Sequence, residues 1–262
     1  MSQADDIALA HRLADAAGAA IRPFFRARYV IEDKADASPV TEADRAAELA
    51  MRALIEAERP EDGIIGEEFG SVRPDASRQW VLDPVDGTRS FITGRHEWGS
   101  LIALEKDGEL VLGILDQPVL GERFLGANGR SVLIQDNVRT PLKVRACDDI
   151  GMAILCATDP SSYMTEAQQA AFARVKARAR LTRYHGDCYI FAMLAMGFID
   201  VIVEGAFRLW DVAAIIPLVE GAGGIVSDWK GAPWRDGEPL LAAGDPELHE
   251  QTVSLLAQTA AS

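Results

Sequence analysis

The sequence predicts a protein of mixed class, α+β in its first half and α/β in its second. In the first half, two helical segments precede a run of short apolar strands. In the second half, strands and helices alternate. A polar stretch at 137–149 separates the two patterns, so the expected division is 1–140 and 141–262, two halves of one integrated unit. The 262 residues suffice for one large domain or two modest ones.

The elements follow in order. Residues 4–29 read as a helix, with Ile7, Leu9, Leu13, Ile21 and Phe25 near helical spacing and Pro23 set to kink its end. A polar loop at 32–39 comes next and is the natural candidate to close over a site. Thr41 reads as an N-cap with Asp44 three residues on, so 42–59 should be a second helix, ended by Pro60 and Gly63. Strands are expected at 64–66, 79–82, 99–105, 110–117 and 123–127, with a hairpin turn at Lys106-Asp107-Gly108-Glu109. In the second half, 152–157, 181–184, 200–204 and 224–227 read as strands. Helices are expected there at 164–179, 188–196 and 212–222.

Composition narrows the function classes. A formal net charge of −14 argues against a general affinity for nucleic acid or for anionic membranes. Cys147, Cys156 and Cys188 are widely spaced with no CxxC, which argues against a disulfide framework or structural zinc and fits a reducing cytoplasm. The first residues lack the basic start and apolar run of a signal peptide. The longest apolar stretch, 189–199, is about half of what a bilayer requires.

The most informative segment is Trp80-Val81-Leu82-Asp83-Pro84-Val85-Asp86-Gly87-Thr88-Arg89-Ser90-Phe91. A short apolar strand delivers two aspartates into a turn forced by Pro84 and Gly87. An acid directly after Trp-Val-Leu is costly unless something offsets its desolvation. Oxygen-rich concavities of this kind suit hard divalent cations such as Mg²⁺. Further acids stand at the ends of elements, where sites are commonly built: Asp44, Glu67 with Glu68, Glu204 and Asp211. Each also has a plainer reading. Asp44 closes a capping box with Thr41, Asp211 is a first-turn acid, Glu67 and Glu68 are surface acids, and Glu204 ends a strand. These readings do not exclude a shared site. Hydrolysis of a phosphate ester suits these residue types, since cations held by carboxylates stabilise charge on the attacking and leaving oxygens. Asp83, the Val85 carbonyl and Asp86 could supply one such ligand set, and Thr88 paired with Asp44 could orient and deprotonate a water.

Taken together, these segments resemble the inositol monophosphatase family of metal-dependent phosphatases. The resemblance runs from Lys34 to the stretch Glu220-Gly221-Ala222-Gly223-Gly224, with Asp83-Pro84-Val85-Asp86-Gly87-Thr88 as its central motif and Trp210-Asp211 as its second. It implies a layered αβαβα sandwich, a homodimer, a small phosphorylated substrate and two or three Mg²⁺ per site. By position, Glu67, Asp83 and the Val85 carbonyl would hold one Mg²⁺, Asp83, Asp86 and Asp211 a second, and Glu67 would help place a third through water. Thr88 and Asp44 would activate the attacking water, and the Gly87 and Thr88 amides would cradle the phosphate.

Within the family, Gly87-Thr88-Arg89-Ser90-Phe91 together with Gly186-Asp187-Cys188-Tyr189 looks like the histidinol-phosphate phosphatase branch. That branch acts in histidine biosynthesis, and its substrate carries an ammonium and an imidazole. Asp187 and Glu204 are the acids expected to favour those cations. Arg89 reads equally as a phosphate contact or as a structural ion-pair residue. His185 stands where the branch often has glycine and reads as a surface residue or a pocket neighbour. The alternatives are inositol 1-phosphate or a broad range of sugar and polyol phosphates. A non-catalytic, cation-binding relative is disfavoured because Thr88 and Asp44 are both kept alongside the metal ligands.

Overall fold

The structure is a computed structural model and describes residues 2–27, 32–33, 39–40 and 42–258. Helix α1 spans Gln3–Ile21 and opens with a reciprocal box, in which the Ser2 hydroxyl accepts from the Asp5 amide and the Asp5 carboxylate accepts from the Ser2 amide. It stops short of the predicted end at residue 29. Pro23 has no N–H to continue the ladder, and residues 22–26 turn instead. The described ends of the 32–39 loop, β1 (Glu32–Asp33) and β2 (Pro39–Val40), pair antiparallel. Residues 34–38 and the predicted cap Thr41 lie outside the described residues. Helix α2, Glu42–Glu58, packs against α1 through small buried residues, Ala10, Ala14 and Ala17 on one helix and Ala43 and Ala47 on the other.

A large sheet follows, built from β3 (Gly63–Gly66), β4 (Gly70–Val72), β5 (Arg78–Asp86), β6 (Gly99–Lys106), β7 (Glu109–Gln117), β8 (Glu122–Ala127), β9 (Arg130–Gln135) and β10 (Val138–Pro141). Its order is β10-β9-β8-β7-β6-β5-β3-β4. Strands β3 and β5 run parallel and the other neighbours antiparallel. The predicted hairpin is present, with Asp107 and Gly108 at φ 52° and 85°, the left-handed pair that a two-residue turn requires. A short helix, α3 (Thr88–Ile92), leaves the end of β5.

The second sheet has the order β12-β11-β13-β15-β14, from β11 (Ile154–Ala157), β12 (Leu181–Tyr184), β13 (Val201–Ala206), β14 (Ile225–Ser227) and β15 (Pro239–Ala243). Strands β12, β11 and β13 are parallel, whereas β15 runs against both its neighbours. The helices here are α4 (Pro160–Tyr163), α5 (Glu166–Lys176), α6 (Tyr189–Ala195), α7 (Leu209–Val212), α8 (Ile215–Gly221) and α9 (Pro246–Ala257). The helix predicted at 164–179 is present as α5, with α4 an additional helix before it, whereas the helix predicted at 212–222 is broken near its start, Val212 ending α7 and Ile215 beginning α8. Thr165 starts α5 with its own capping box, separating it from α4. Pro217 cannot donate to the Ala213 carbonyl, and the chain breaks between α7 and α8.

Three apolar cores separate five layers, the αβαβα sandwich expected from the resemblance. One core lies between α1, α2 and the large sheet, one between the two sheets around α6 and α8, and one between the small sheet and α5 and α9. Strand β5 feeds two of them. Trp80 and Leu82 point to the first and Val81 to the second, the period of two that a strand buried on both faces imposes. A row of small residues, Ala103, Gly113, Gly126 and Ser131, lies in register across four strands and seats α8. A Cβ on Gly113 would lie 2.1 Å from the Ala214 carbonyl oxygen, and one on Gly126 2.3 Å from the Pro217 backbone. The Ser131 hydroxyl donates to the Leu218 carbonyl at 2.7 Å. This seat fixes where α7, just upstream, presents Asp211.

Candidate active site

Strand β5 runs on to Asp86 rather than ending at Leu82 as predicted. Its register against β6 shifts between Asp83 opposite Leu101 and Asp86 opposite Gly99, so β5 advances three residues while β6 advances two. The bulge bends the strand and re-aims its side chains. Pro84 suits the break, since it has no N–H to leave unpaired. Local bonds hold the shape. The Val85 amide donates to Asp83 Oδ1 at 3.0 Å, the Ser100 hydroxyl to the Pro84 carbonyl at 2.7 Å, and the Thr88 hydroxyl to the Val85 carbonyl at 3.1 Å. Gly87 then sits at φ 88°, and a Cβ there would lie 2.9 Å from both the Asp187 Cβ and the Glu97 carbonyl oxygen. Conformation and close approach both require glycine.

The bulge gathers acids that are distant in sequence. Asp83, Asp86 and Asp211 each place a carboxylate oxygen within 4.8 Å of the others. Glu67 follows β3, and its amide donates to the Leu82 carbonyl at 3.2 Å, which brings it beside Asp83. Asp211 closes the start of α7 by accepting from the Arg208 amide at 2.8 Å. Its plainer reading as a first-turn acid and its place in the cluster therefore both hold.

Crowding of like charge in a buried place shows in the titration of these groups. Burial, then the Glu67, Asp86 and Asp211 charges, push the Asp83 carboxyl well above the usual range. Asp86 is pushed up to about 7 by burial and by the Asp187 charge. Asp211 is pushed well up by burial and by Asp86. Such a cluster ionises fully only against a concentrated positive charge. The donors are all oxygen, Glu67, Asp83, the Val85 carbonyl, Asp86 and Asp211, and this set fits a hard divalent cation.

A cavity of about 250 Å³ opens over the cluster. Its far wall comes from the second sheet. Glu204, 1% exposed on β13, accepts from the Thr158 amide at 2.6 Å and is pushed up to about 8, chiefly by burial. Asp187 caps a strained turn, with His185, Gly186 and Asp187 at φ 71°, 118° and 43°. Its Oδ2 accepts from the Ser90 hydroxyl at 2.6 Å, and burial raises its carboxyl. The neighbouring Cys188 amide donates to Asp86 Oδ2 at 2.6 Å. These two bonds tie the wall to the aspartate bulge. The Arg89 guanidinium lies over the Tyr163 ring, 4.9 Å from its centre, at the cavity edge.

Glu67, Asp83, Val85, Asp86, Gly87, Thr88, Arg89, Asp187, Glu204 and Asp211 thus line one cavity. Asp44 does not line it. It is fully buried in the first turn of α2, where that helix packs on the large sheet. His185 is exposed and outside the cavity wall. Thr158 and Tyr163 line the site without having been singled out in the sequence. Their signal was the Asp159-Pro160 pair, a helix start directly after an apolar strand, where Asp159 accepts from the Ser161 and Ser162 amides. Among the described residues, no helix is long and apolar enough to cross a membrane.

Known proteins share this fold. The model of the inositol monophosphatase family matches residues 2–261. The bifunctional phosphatase IMPL2, chloroplastic, of Arabidopsis thaliana is 40% identical over 95% of this chain and 74% of its own. A histidinol-phosphatase of Chlorobaculum parvum is 36% identical over 92% of each chain. A solved inositol monophosphatase from Zymomonas mobilis superposes with a TM-score of 0.88 and 45% identity, over 98% of this chain and 100% of that one. With this fold, this acidic cluster and these relatives, the chain is a phosphoric monoester hydrolase and belongs to the inositol monophosphatase family, a family of metal-dependent phosphatases.

Proposed function

We propose that this phosphatase releases phosphate from L-histidinol phosphate, in the cytoplasm and as a homodimer. The observation that carries the reading is the pair of acids, Asp187 and Glu204, on the wall facing the metal-ligand cluster. A cationic leaving group favours ionisation of these two acids and gains from the charge that results, whereas a neutral polyol gains only hydrogen bonds. Histidinol-phosphatases at 33–36% identity, each matched over 92–98% of its length, support the assignment.

The residue roles follow from position. Glu67, Asp83 and the Val85 carbonyl would hold one Mg²⁺, Asp83, Asp86 and Asp211 would hold a second, and Glu67 would help to place a third. When bound, the cations polarise the phosphoryl group and lower the pKa of bound water. The Gly87 and Thr88 amides receive the phosphate where the positive φ of Gly87 opens α3. Thr88 would accept the proton of the attacking water as its own hydroxyl proton passes to the buried Asp44. Arg89, held over Tyr163, faces the entering phosphate. Residues 1–140 carry most of the metal ligands, 141–262 carry the substrate-recognition residues Asp187 and Glu204 and the last metal ligand, and the two halves act as one unit.

Inositol 1-phosphate is the second reading, favoured by the 45% identity to the Zymomonas mobilis inositol monophosphatase. Values of kcat/KM with Mg²⁺ on L-histidinol phosphate, inositol 1-phosphate and a nucleoside bisphosphate separate the two. The proposal requires histidinol phosphate to lead by at least about tenfold, equivalent to about 1.4 kcal/mol. Equal or faster turnover of inositol 1-phosphate would reject it.

A further inference from the structure

Glu48 is a fully buried carboxylate on α2, one turn after Asp44 and one turn before Arg52. Its bonds gather on the turn that carries Glu67. Its Oε2 accepts from the Glu68 amide at 2.8 Å and its Oε1 from the Phe69 amide at 3.2 Å. Arg52 Nε donates to Oε1 at 2.7 Å, while Arg52 Nη2 donates to the Gly70 carbonyl. A Cβ on Gly66 would lie 2.0 Å from Glu48 Oε1, so the carboxylate reaches this turn only because residue 66 is glycine. On its other side Glu67 is bonded through its own amide to Leu82, the residue before Asp83.

A buried ion pair is a poor source of stability, since apolar residues of similar volume do as well or better. A carboxylate committed to the two amides that follow Glu67 has a different use. We infer that Glu48, braced by Arg52, is a positioning residue that sets Glu67 against Asp83 for cation binding. The inference rests on the metal site proposed above. The same tether keeps Asp44, one turn earlier on α2, in fixed relation to Glu67.

Glu48→Gln tests this with little change of shape. It removes the charge and one acceptor, and turns an NH₂ group toward a backbone N–H. Calorimetric titration of the substrate-free protein with Mg²⁺ is expected to show affinity weakened roughly 10- to 100-fold, as for other groups that orient metal ligands. The Mg²⁺ concentration for half-maximal rate should rise in step, with a smaller change in KM for substrate. A merely structural Glu48 would lower Tm alike with and without Mg²⁺ and leave the Mg²⁺ affinity unchanged, which overturns the inference. Should Glu48→Gln not fold, Arg52→Lys decides, because it keeps the charge and loses the fork that reaches Gly70. A smaller loss of Mg²⁺ affinity supports the inference, and unchanged affinity overturns it. Failure of the unmodified protein to bind Mg²⁺ would refute the metal site itself and this inference with it.

Discussion

Glu204 gives the sharpest test of the electrostatic reading of the cavity. Its carboxyl is buried and pushed from an ordinary 4.5 up to about 8, chiefly by desolvation. A raised carboxyl pKa means that the folded protein holds the proton more tightly than the unfolded chain. The stability this contributes is full below pH 4.5 and is lost as pH rises through about 8. Between pH 5.5 and 8.5 the loss is about 3 kcal/mol, from a slope of about 1.4 kcal/mol per pH unit until the folded group ionises. Glu204→Gln keeps a carbonyl to accept from Thr158 and has no proton to lose. Urea unfolding of both proteins at pH 5.5 and 8.5, in EDTA, cancels the other titrating groups in the difference. The stability of the variant relative to the unmodified protein should rise by about 3 kcal/mol across that interval. Parallel stability profiles would refute the buried, proton-retaining Glu204. At pH 8.5, where Glu204 of the unmodified protein is ionised, the same variant should lose preference for a cationic leaving group.

Three further outcomes follow. Asp187→Ala should lower kcat/KM on histidinol phosphate at least about tenfold more than on β-glycerophosphate, and equal losses would remove Asp187 from substrate recognition. In EDTA, Tm should fall as pH rises from 5.5 to 8.5, because Asp83, Asp86 and Asp211 are all raised and resist ionising together; Mg²⁺ should flatten that fall. Gly113→Ala should cost about 1–3 kcal/mol of stability in urea, since its methyl meets the Ala214 carbonyl at a distance that forces α8 to move.

The parts legible in the sequence had local causes. Helix α2 and the hairpin at Asp107-Gly108 follow from spacing and turn chemistry. Asp83 and Asp86 stand out because acids seldom follow a strand such as Trp80-Val81-Leu82 without compensation. Strands β4 and β10 are short edge strands with little apolar pattern and escaped the sequence reading, as did the interior strands β9 and β15, whose apolar runs are only about three residues long. The break between α7 and α8 had a signal in Pro217, masked by the apolar run around it. Glu48 was not legible at all. A glutamate inside an amphipathic helix reads as solvated until the fold lays Glu68 and Phe69 against it. The bonds from Ser90 to Asp187 and from Cys188 to Asp86 join residues about a hundred positions apart, and only tertiary packing makes them neighbours.

The physiological claim meets its most direct test in growth of a histidine auxotroph lacking its own histidinol-phosphate phosphatase. The unmodified chain should restore growth without histidine, and Asp83→Asn, expressed and folded at the same level, should not. No rescue by an unmodified chain that hydrolyses inositol 1-phosphate in the same extract would contradict the account, as would rescue by Asp83→Asn.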